Sequence, residues 1–269
     1  NVICDDILRE SPIKQIFVKN KPDTIIYCVQ ENGNVAALTY ERGQQVVAWS
    51  RLTTEGNYKS GTSLTINGEE QVWWVIERDG SYLLEKEVSD TYLDATAEQS
   101  SGSILVTTPA HLVGQDLSLL RDGKYVGEIA TAGSTIHLGL GTTYIDGESY
   151  TTGTHTIGLN YESMVRPLPI EPIIQGKLPN SRVKGVSKMY VKFYNTKQAS
   201  VGEKDKTATL DEDLDTTSVA NNIAEMEIEE KRFYMAQDFN NQKLLEIKQT
   251  LPYPMTVLSL SAWVEVYGG

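Results

Sequence analysis

The sequence predicts a mostly β protein, with partial β-propeller-like blades, then a small antiparallel β-barrel, then a C-terminal strand-rich domain. Three observations carry this. The chain holds 14 tyrosines and 4 tryptophans among many Val, Ile and Thr residues, the types that fit a pleated surface. A strand-turn-strand unit occurs twice at a fixed offset. Short apolar-alternating runs separated by turn residues continue to the end, and helical stretches are scarce before Val219.

The repeat comes first along the chain. Thr24 to Gly33 aligns with Gln71 to Gly80, each run closing on Asn-Gly or Asp-Gly, at an offset of 79 − 32 = 47 residues. Those dipeptides supply the two positive φ angles of a type I′ hairpin turn. The returning strands are Val35 to Tyr40 and Tyr82 to Glu85, with Gln45 to Trp49 and a turn at Glu55-Gly56 between the hairpins. A period of 40 to 50 residues built from about four short strands is the spacing of propeller blades. Two blades cannot close a ring, so further blades are expected upstream or from neighbouring packing.

Residues 1–99 are therefore read as blade repeats, and the small polar run 89–103 as a linker. Residues 100–158 read as the barrel, with strands at Ile104 to Val106, Asp116 to Leu120, Tyr125 to Ile129 and Thr135 to Leu138, and turns at Arg121 to Lys124 and Ala132 to Ser134. Gly139 to Gly158 reads as an extended loop or long hairpin. Residues 159–269 form the C-terminal domain. It opens on Arg166 to Pro172, where three prolines enforce an extended path. Val183 to Tyr194 is its strongest strand, 197–218 is a polar, acidic insertion, Val219 to Arg232 fits a short helix or a strand, and Met255 to Val266 alternates as a strand.

Composition excludes several function classes. The formal net charge of −12 and the absence of a basic run disfavour adhesion to phosphate, although a wall that repels phosphate suits a conduit through which DNA slides. Cys4 and Cys28 are too few for a disulfide scaffold and are expected as reduced, small apolar residues. The longest apolar runs, such as Val72 to Ile76 and Met255 to Leu260, fall far short of the roughly 20 residues of a spanning helix. The opening NVICDDILRE lacks the pattern of a signal peptide, and its start without Met suggests the C-terminal part of something longer.

Motifs for chemistry fail one by one. His111, His137 and His155 lack zinc-ligand spacing. Asp211, Asp213 and Asp215 imitate a calcium loop, but its sixth and twelfth positions are Thr216 and Asn222. Gly139-Leu-Gly141 lacks the third glycine of a dinucleotide fingerprint. Glu69 with Glu70, and Glu227 with Glu229, are paired carboxylates in polar surroundings, and a glycosidase needs its pair about 5 to 10 Å apart across a cleft. No enzyme, cofactor or metal is expected. Trp49, Trp73 and Trp74 are the candidate interface or binding aromatics. Trp73 and Trp74 are adjacent, so one belongs to a core and the other to an interface.

Several segments together resemble one family. Gly33 to Tyr40, Val47 to Gly56, Val72 to Arg78, His111 to Gly123, Ile157 to Tyr161 with Pro167 to Glu171, Val186 to Asn195 and Leu251 to Leu258 look, in that order, like tail nozzle proteins (tail tubular protein B) of short-tailed bacteriophages. The resemblance spans almost the whole chain, with a departure at Ala199 to Ala224. It implies a virion component forming a ring, commonly of six copies, beneath the portal and adaptor. Such a ring carries fibres or a tip, encloses the DNA-ejection channel without gripping DNA, and uses no cofactor and no catalytic residue. The alternative is a carbohydrate- or receptor-binding module of a phage or bacterial surface protein.

Overall fold

The computed structural model describes residues 5–101, 105–130, 132–137, 142–144, 153–168, 183–197, 199–203, 228–234 and 244–267. The architecture is mostly β, with a single four-residue helical turn, α1 (Asp5–Leu8), among the described elements besides one 3-10 turn at Ala110–Leu112. Two compact units divide the chain: residues 1–90 with 109–113, and residues 91–108 with 114–269.

The first unit holds two antiparallel meanders. One is β1 (Ile13–Lys19), β2 (Ile25–Gln30), β3 (Val35–Glu41) and β4 (Val46–Leu52), hydrogen-bonded in that order. The other is β5 (Asn57–Ile66), β6 (Glu69–Arg78) and β7 (Ser81–Lys86), with three strands where about four were expected. Their inner faces pack on each other. Tyr27, Val29, Val35 and Ala37 of the first meet Val72, Trp74 and Ile76 of the second. Trp74 stands at the centre, edge-on to Phe17, Tyr27 and Tyr58 with ring centroids 5.1, 5.2 and 4.9 Å away. Gly61 lies beneath it. A Cβ there would come within 2.5 Å of Trp74 Cε3 and 2.7 Å of Phe17 Cε1, so only glycine lets the sheets approach this closely.

Turn chemistry sets the register of these hairpins. Asp79 (φ 47°) and Gly80 (φ 76°) form the expected type I′ turn, and Asn67 (φ 53°) with Gly68 (φ 85°) makes a second one between β5 and β6. The first hairpin departs from expectation. Gly33 has φ 87° but Asn32 does not take a positive φ, and the Gly33 N–H bonds the Gln30 carbonyl at 3.2 Å while the Gln30 N–H bonds the Asn34 carbonyl at 2.9 Å. This is a three-residue loop, a tight turn followed by a left-handed glycine, rather than a two-residue one.

That extra residue changes the phase of the repeat. Counted from the loops, Gln30 corresponds to Arg78 (78 − 30 = 48), whereas Asn34 corresponds to Ser81 (81 − 34 = 47). Tyr27 is thus equivalent to Val75, not to Trp74, and Val35 and Ala37 are equivalent to Tyr82 and Leu84. The two sheets stack in the same sense, with the leading face of the first on the trailing face of the second. Strands β1 and β5 accordingly run alongside in one direction. Lys14 Nζ and Gln15 Nε2 donate to the carbonyls of Lys59 (3.1 Å) and Gly61 (2.8 Å), and Ser63 Oγ donates to the Val18 carbonyl (2.6 Å).

In the second unit the expected linker contains a strand, β8 (Asp94–Ser101). The strands that follow are β9 (Leu105–Thr107), β10 (Leu117–Arg121), β11 (Lys124–Ile129), β12 (Thr135–His137), β13 (Thr142–Tyr144) and β14 (Gly153–Leu159). The expected small barrel is not what they form. They make an open sheet in the order β13-β11-β10-β14-β8 and a separate β12-β9 ladder, with no closed barrel among the described residues. The physical reason is the pairing of β8 along β14: it gives the sheet a long edge strand instead of leaving β14 free to close on β13. Most of Gly139 to Thr152 lies outside the described residues.

The rest is a two-layer sandwich. Strands β15 (Ser163–Val165), β17 (Ser200–Glu203) and β19 (Leu245–Gln249) form one sheet, and β16 (Val183–Tyr194), β18 (Ile228–Tyr234) and β20 (Thr256–Tyr267) the other. Met189, Val191 and Phe193 meet Val201, Leu245 and Ile247 in a fully buried core, with Val257, Leu260 and Val264 alongside. Both late strands expected from alternation are present, and Val219 to Arg232 enters β18 as strand from Ile228. Most of the acidic insertion, 204–218, lies outside the described residues.

Candidate interaction faces

The three candidate tryptophans do not form a common platform. Trp74 points into the sheet interface and is buried, so its ring is unavailable. Trp49 lies on the outer face of the first sheet, in a row with Val18, Ile26 and Leu38 across four strands. Trp73 lies on the outer face of the second sheet, opposite Thr62 and Lys86. Each of these two holds its indole Nε1 out of water without an acceptor. An unmet donor of this kind costs about 1–3 kcal/mol.

Both outer faces carry exposed apolar side chains among polar ones, Thr62, Glu77 and Lys86 on the second sheet and Arg51 on the first. On the first, Ile16 (60% exposed) and Val47 (55%) stand in water beside the Trp49 row; on the second, Tyr82 (67%) and Leu84 (68%) flank Val75. A sheet with one face on a core ordinarily turns polar residues outward. Here both sheets break that alternation. The sequence carries a partial signal of it in β7, where Leu83 and Leu84 are both apolar, which places a leucine on each side of the strand.

A groove of about 900 Å³ opens at one end of this unit, and both charge signs line it, Lys19, Lys21 and Lys86 with Asp23, Glu70 and Glu87. Glu70 and Glu87 are engaged by the chain itself. Glu70 accepts the N–H groups of Asn20 and Lys21 at 2.9 Å each, and Glu87 binds Lys19 Nζ and the Tyr27 hydroxyl at 3.1 Å. Partial desolvation pulls the Glu70 carboxyl upward, but these N–H donors, with Ser63 and Asn20 side chains, outweigh it and hold it below the usual carboxylate range. Glu69, its partner in the sequence pair, is exposed. Both line the groove, and it is Glu70 that braces the β1–β2 connection.

The remaining candidates are dispersed. His155 is fully buried in β14, His111 sits in the 3-10 turn and His137 ends β12. No group of three or more His, Cys, Asp or Glu side chains converges as metal ligands among the described residues. Cys28 is buried and free, its thiol pushed up by burial. Cys4, Gly139, Gly141, Asp211, Asp213, Asp215 and Glu227 lie outside the described residues, and Glu229 falls in β18. No described helix is long and apolar enough to cross a membrane.

Sequence reasoning passed over Trp263. In β20 it stands opposite Lys188 of β16, 63% exposed, on the face away from the core. Its place in an alternating strand was the available signal, since Val264 on the other side is packed inward. No protein-family model matches the chain, and no curated protein matches it.

Proposed function

We propose that the chain is a structural component of a bacteriophage tail, part of the nozzle or tubular ring along the DNA-ejection conduit. The observation that carries this reading is the pair of stacked sheets that keep Ile16, Val47, Tyr82 and Leu84 in water on their outer faces. Such faces suit a part that neighbours pack against. The ordered resemblance to tail nozzle proteins supports it, and so does the net charge of −12, which suits a wall that DNA passes without sticking. In this reading the partners are further copies in a ring, the adaptor and portal, and tail fibre proteins. The location is the virion, and the role calls for no cofactor or catalytic residue. Cryo-electron microscopy of the full-length protein with its adaptor ring is expected to show a closed oligomer on the adaptor. A stable monomer that never joins the adaptor overturns the proposal.

Trp263 beside Lys188 favours a second reading, a carbohydrate- or receptor-binding module, because an exposed ring flanked by a cation suits a sugar face. A glycan array is the test. No signal from the wild-type chain, or a signal that survives Trp263→Ala, rejects it.

A further inference from the structure

The first sheet has four strands and the second three, and the repeat identifies the place of the fourth. Loop-anchored equivalence carries β3 onto β7 at the offset of 47, so that Val35, Ala37 and Thr39 fall on Tyr82, Leu84 and Lys86. Two further bonds fix this phase. The Tyr40 N–H donates to the Thr24 carbonyl at 2.9 Å, and its equivalent, the Glu87 N–H, donates to the Val72 carbonyl at 3.0 Å. Alternate residues of an antiparallel strand aim their N–H and C=O groups to opposite sides. Tyr40 and Glu87 face the β2 and β6 sides, so Val35, Ala37 and Thr39 face β4, while Tyr82, Leu84 and Lys86 face away from β6. Among the described residues no strand pairs with β7 on that side, and the backbone groups of these three residues meet no other backbone group. The chain's own equivalent of β4 is spent elsewhere. Moved on by the offset (46 + 47 to 52 + 47), β4 falls on residues 93–99, the stretch of β8, which pairs with β14 in the second unit.

We infer that β7 is a docking edge for an extended segment of another protein, which adds to this sheet as its fourth, antiparallel strand. The edge is open to such pairing: β7 holds no proline and runs without a bulge, and Tyr82 (67% exposed) and Leu84 (68%) stand on it. The first sheet supplies the occupant's geometry. β4 lies antiparallel to β3, and residues directly opposite share a face. A strand against β7 therefore sets one side chain opposite each of Lys86, Leu84 and Tyr82, in that order along its own direction. Leu84 and Tyr82 call for aliphatic residues, and the exposed Lys86 calls for an acid. The matching run is an acid followed at its second and fourth positions by Val, Ile or Leu. No Asp or Glu of this chain is followed in that way, which points to a different protein rather than a second copy. Main-chain bonds to the edge give the affinity, and the alternate side chains give the selectivity. The inference is independent of the tail reading, because it rests on one strand edge.

The experiment uses the whole chain and a fluorescein-labelled peptide, Ser-Glu-Thr-Val-Thr-Val-Ser, whose Glu and two Val residues fall opposite Lys86, Leu84 and Tyr82. In amide hydrogen exchange followed by NMR, the free chain is expected to exchange fast at Tyr82, Leu84 and Lys86 and slowly at Leu83 and Glu85. Saturating peptide is expected to slow the first three and leave the other two unchanged. Methylating the two Val nitrogens of the peptide, which face β7, is expected to weaken binding in fluorescence anisotropy by about tenfold or more. Methylating the Thr nitrogens, which face away, is expected to change it by less than about twofold. Lys86 is exposed, so Lys86→Glu is expected to keep the wild-type circular dichroism and melt. It is expected to bind the peptide about fivefold more weakly, and to recover with a peptide that carries Lys in place of Glu. No binding at millimolar peptide, binding indifferent to Val methylation, no slowing at the three amides, or equal affinity of Lys86→Glu for both peptides overturns the inference. Slow exchange at those amides in the chain alone overturns it too, since a second copy or a segment of the same chain would then hold the edge. None of these outcomes bears on the tail-ring proposal.

Discussion

Gly61 and Trp74 show how much a single position decides. The indole fills the space a Cβ at 61 would occupy, so Gly61→Ala must move either the ring or the sheet spacing. A loss of about 1–3 kcal/mol in chemical denaturation is expected, the usual cost of overpacking. Trp74→Ala is expected to cost about 3–5 kcal/mol. Trp49→Ala, on the outer face, is expected to cost much less, and comparable losses for the two would contradict their placement. Sequence parity made Trp73 and Trp74 opposite in facing, but which of them was inside depended on a loop length that composition does not reveal. Glu246 makes a residue-scale prediction about pH. Burial raises its carboxyl, yet Arg166 Nη2 at 2.9 Å and Lys248 Nζ at 3.2 Å outweigh that and hold it below its ordinary value of 4.5. A carboxylate depressed in the folded state stabilises above its unfolded pKa and loses that contribution as pH falls through the folded value. Thermal melts are therefore expected to drop as pH falls below about 4.5, less steeply in Glu246→Gln.

At the scale of elements, turn residues were the most legible part of the sequence. Asp79-Gly80 and Asp122-Gly123 both take positive φ at each residue, as their dipeptides imply. Asn67-Gly68 does the same and was equally visible, although it falls outside the 47-residue repeat on which the blade expectation rested. Gly80→Ala is expected to lower stability by about 1 kcal/mol through its φ of 76° alone, since open space surrounds it. Arg78 closes the same hairpin from inside. It is nearly fully buried, pairs with Glu85 through Nε at 2.8 Å and Nη2 at 3.0 Å, and donates to the Glu55 carbonyl. Arg78→Ala is expected to cost about 3–5 kcal/mol in denaturant melts, because it strips a desolvated ion pair of one partner. Less legible was β8. Its small polar residues resemble a linker, and only its pairing with β14 makes them a strand.

For the whole molecule, the class was legible because aromatic and β-branched residues alternate over most of its length, while closure was not. Whether a sheet ends open or rolls shut depends on which distant strand finds its edge, a long-range choice that local pattern does not encode. The outer faces were hidden for a related reason: an apolar residue on a strand reads as core wherever it lies. Raising the salt concentration tests the apolar character of association at this scale. Copies joined through aliphatic and aromatic faces are expected to hold or tighten in about 1 M sulfate, whereas copies joined by ion pairs would loosen. The three-residue loop after β2 has one more consequence. Swapping the segment before the loop between the two hairpins, while keeping the segment after it, would exchange strands of opposite phase: β6 grafted before Glu31 would turn Trp74 away from its partner sheet. Duplicated hairpins in this chain are interchangeable as hairpins only with their loops attached. The unit of inheritance here is a strand together with the number of residues that follow it.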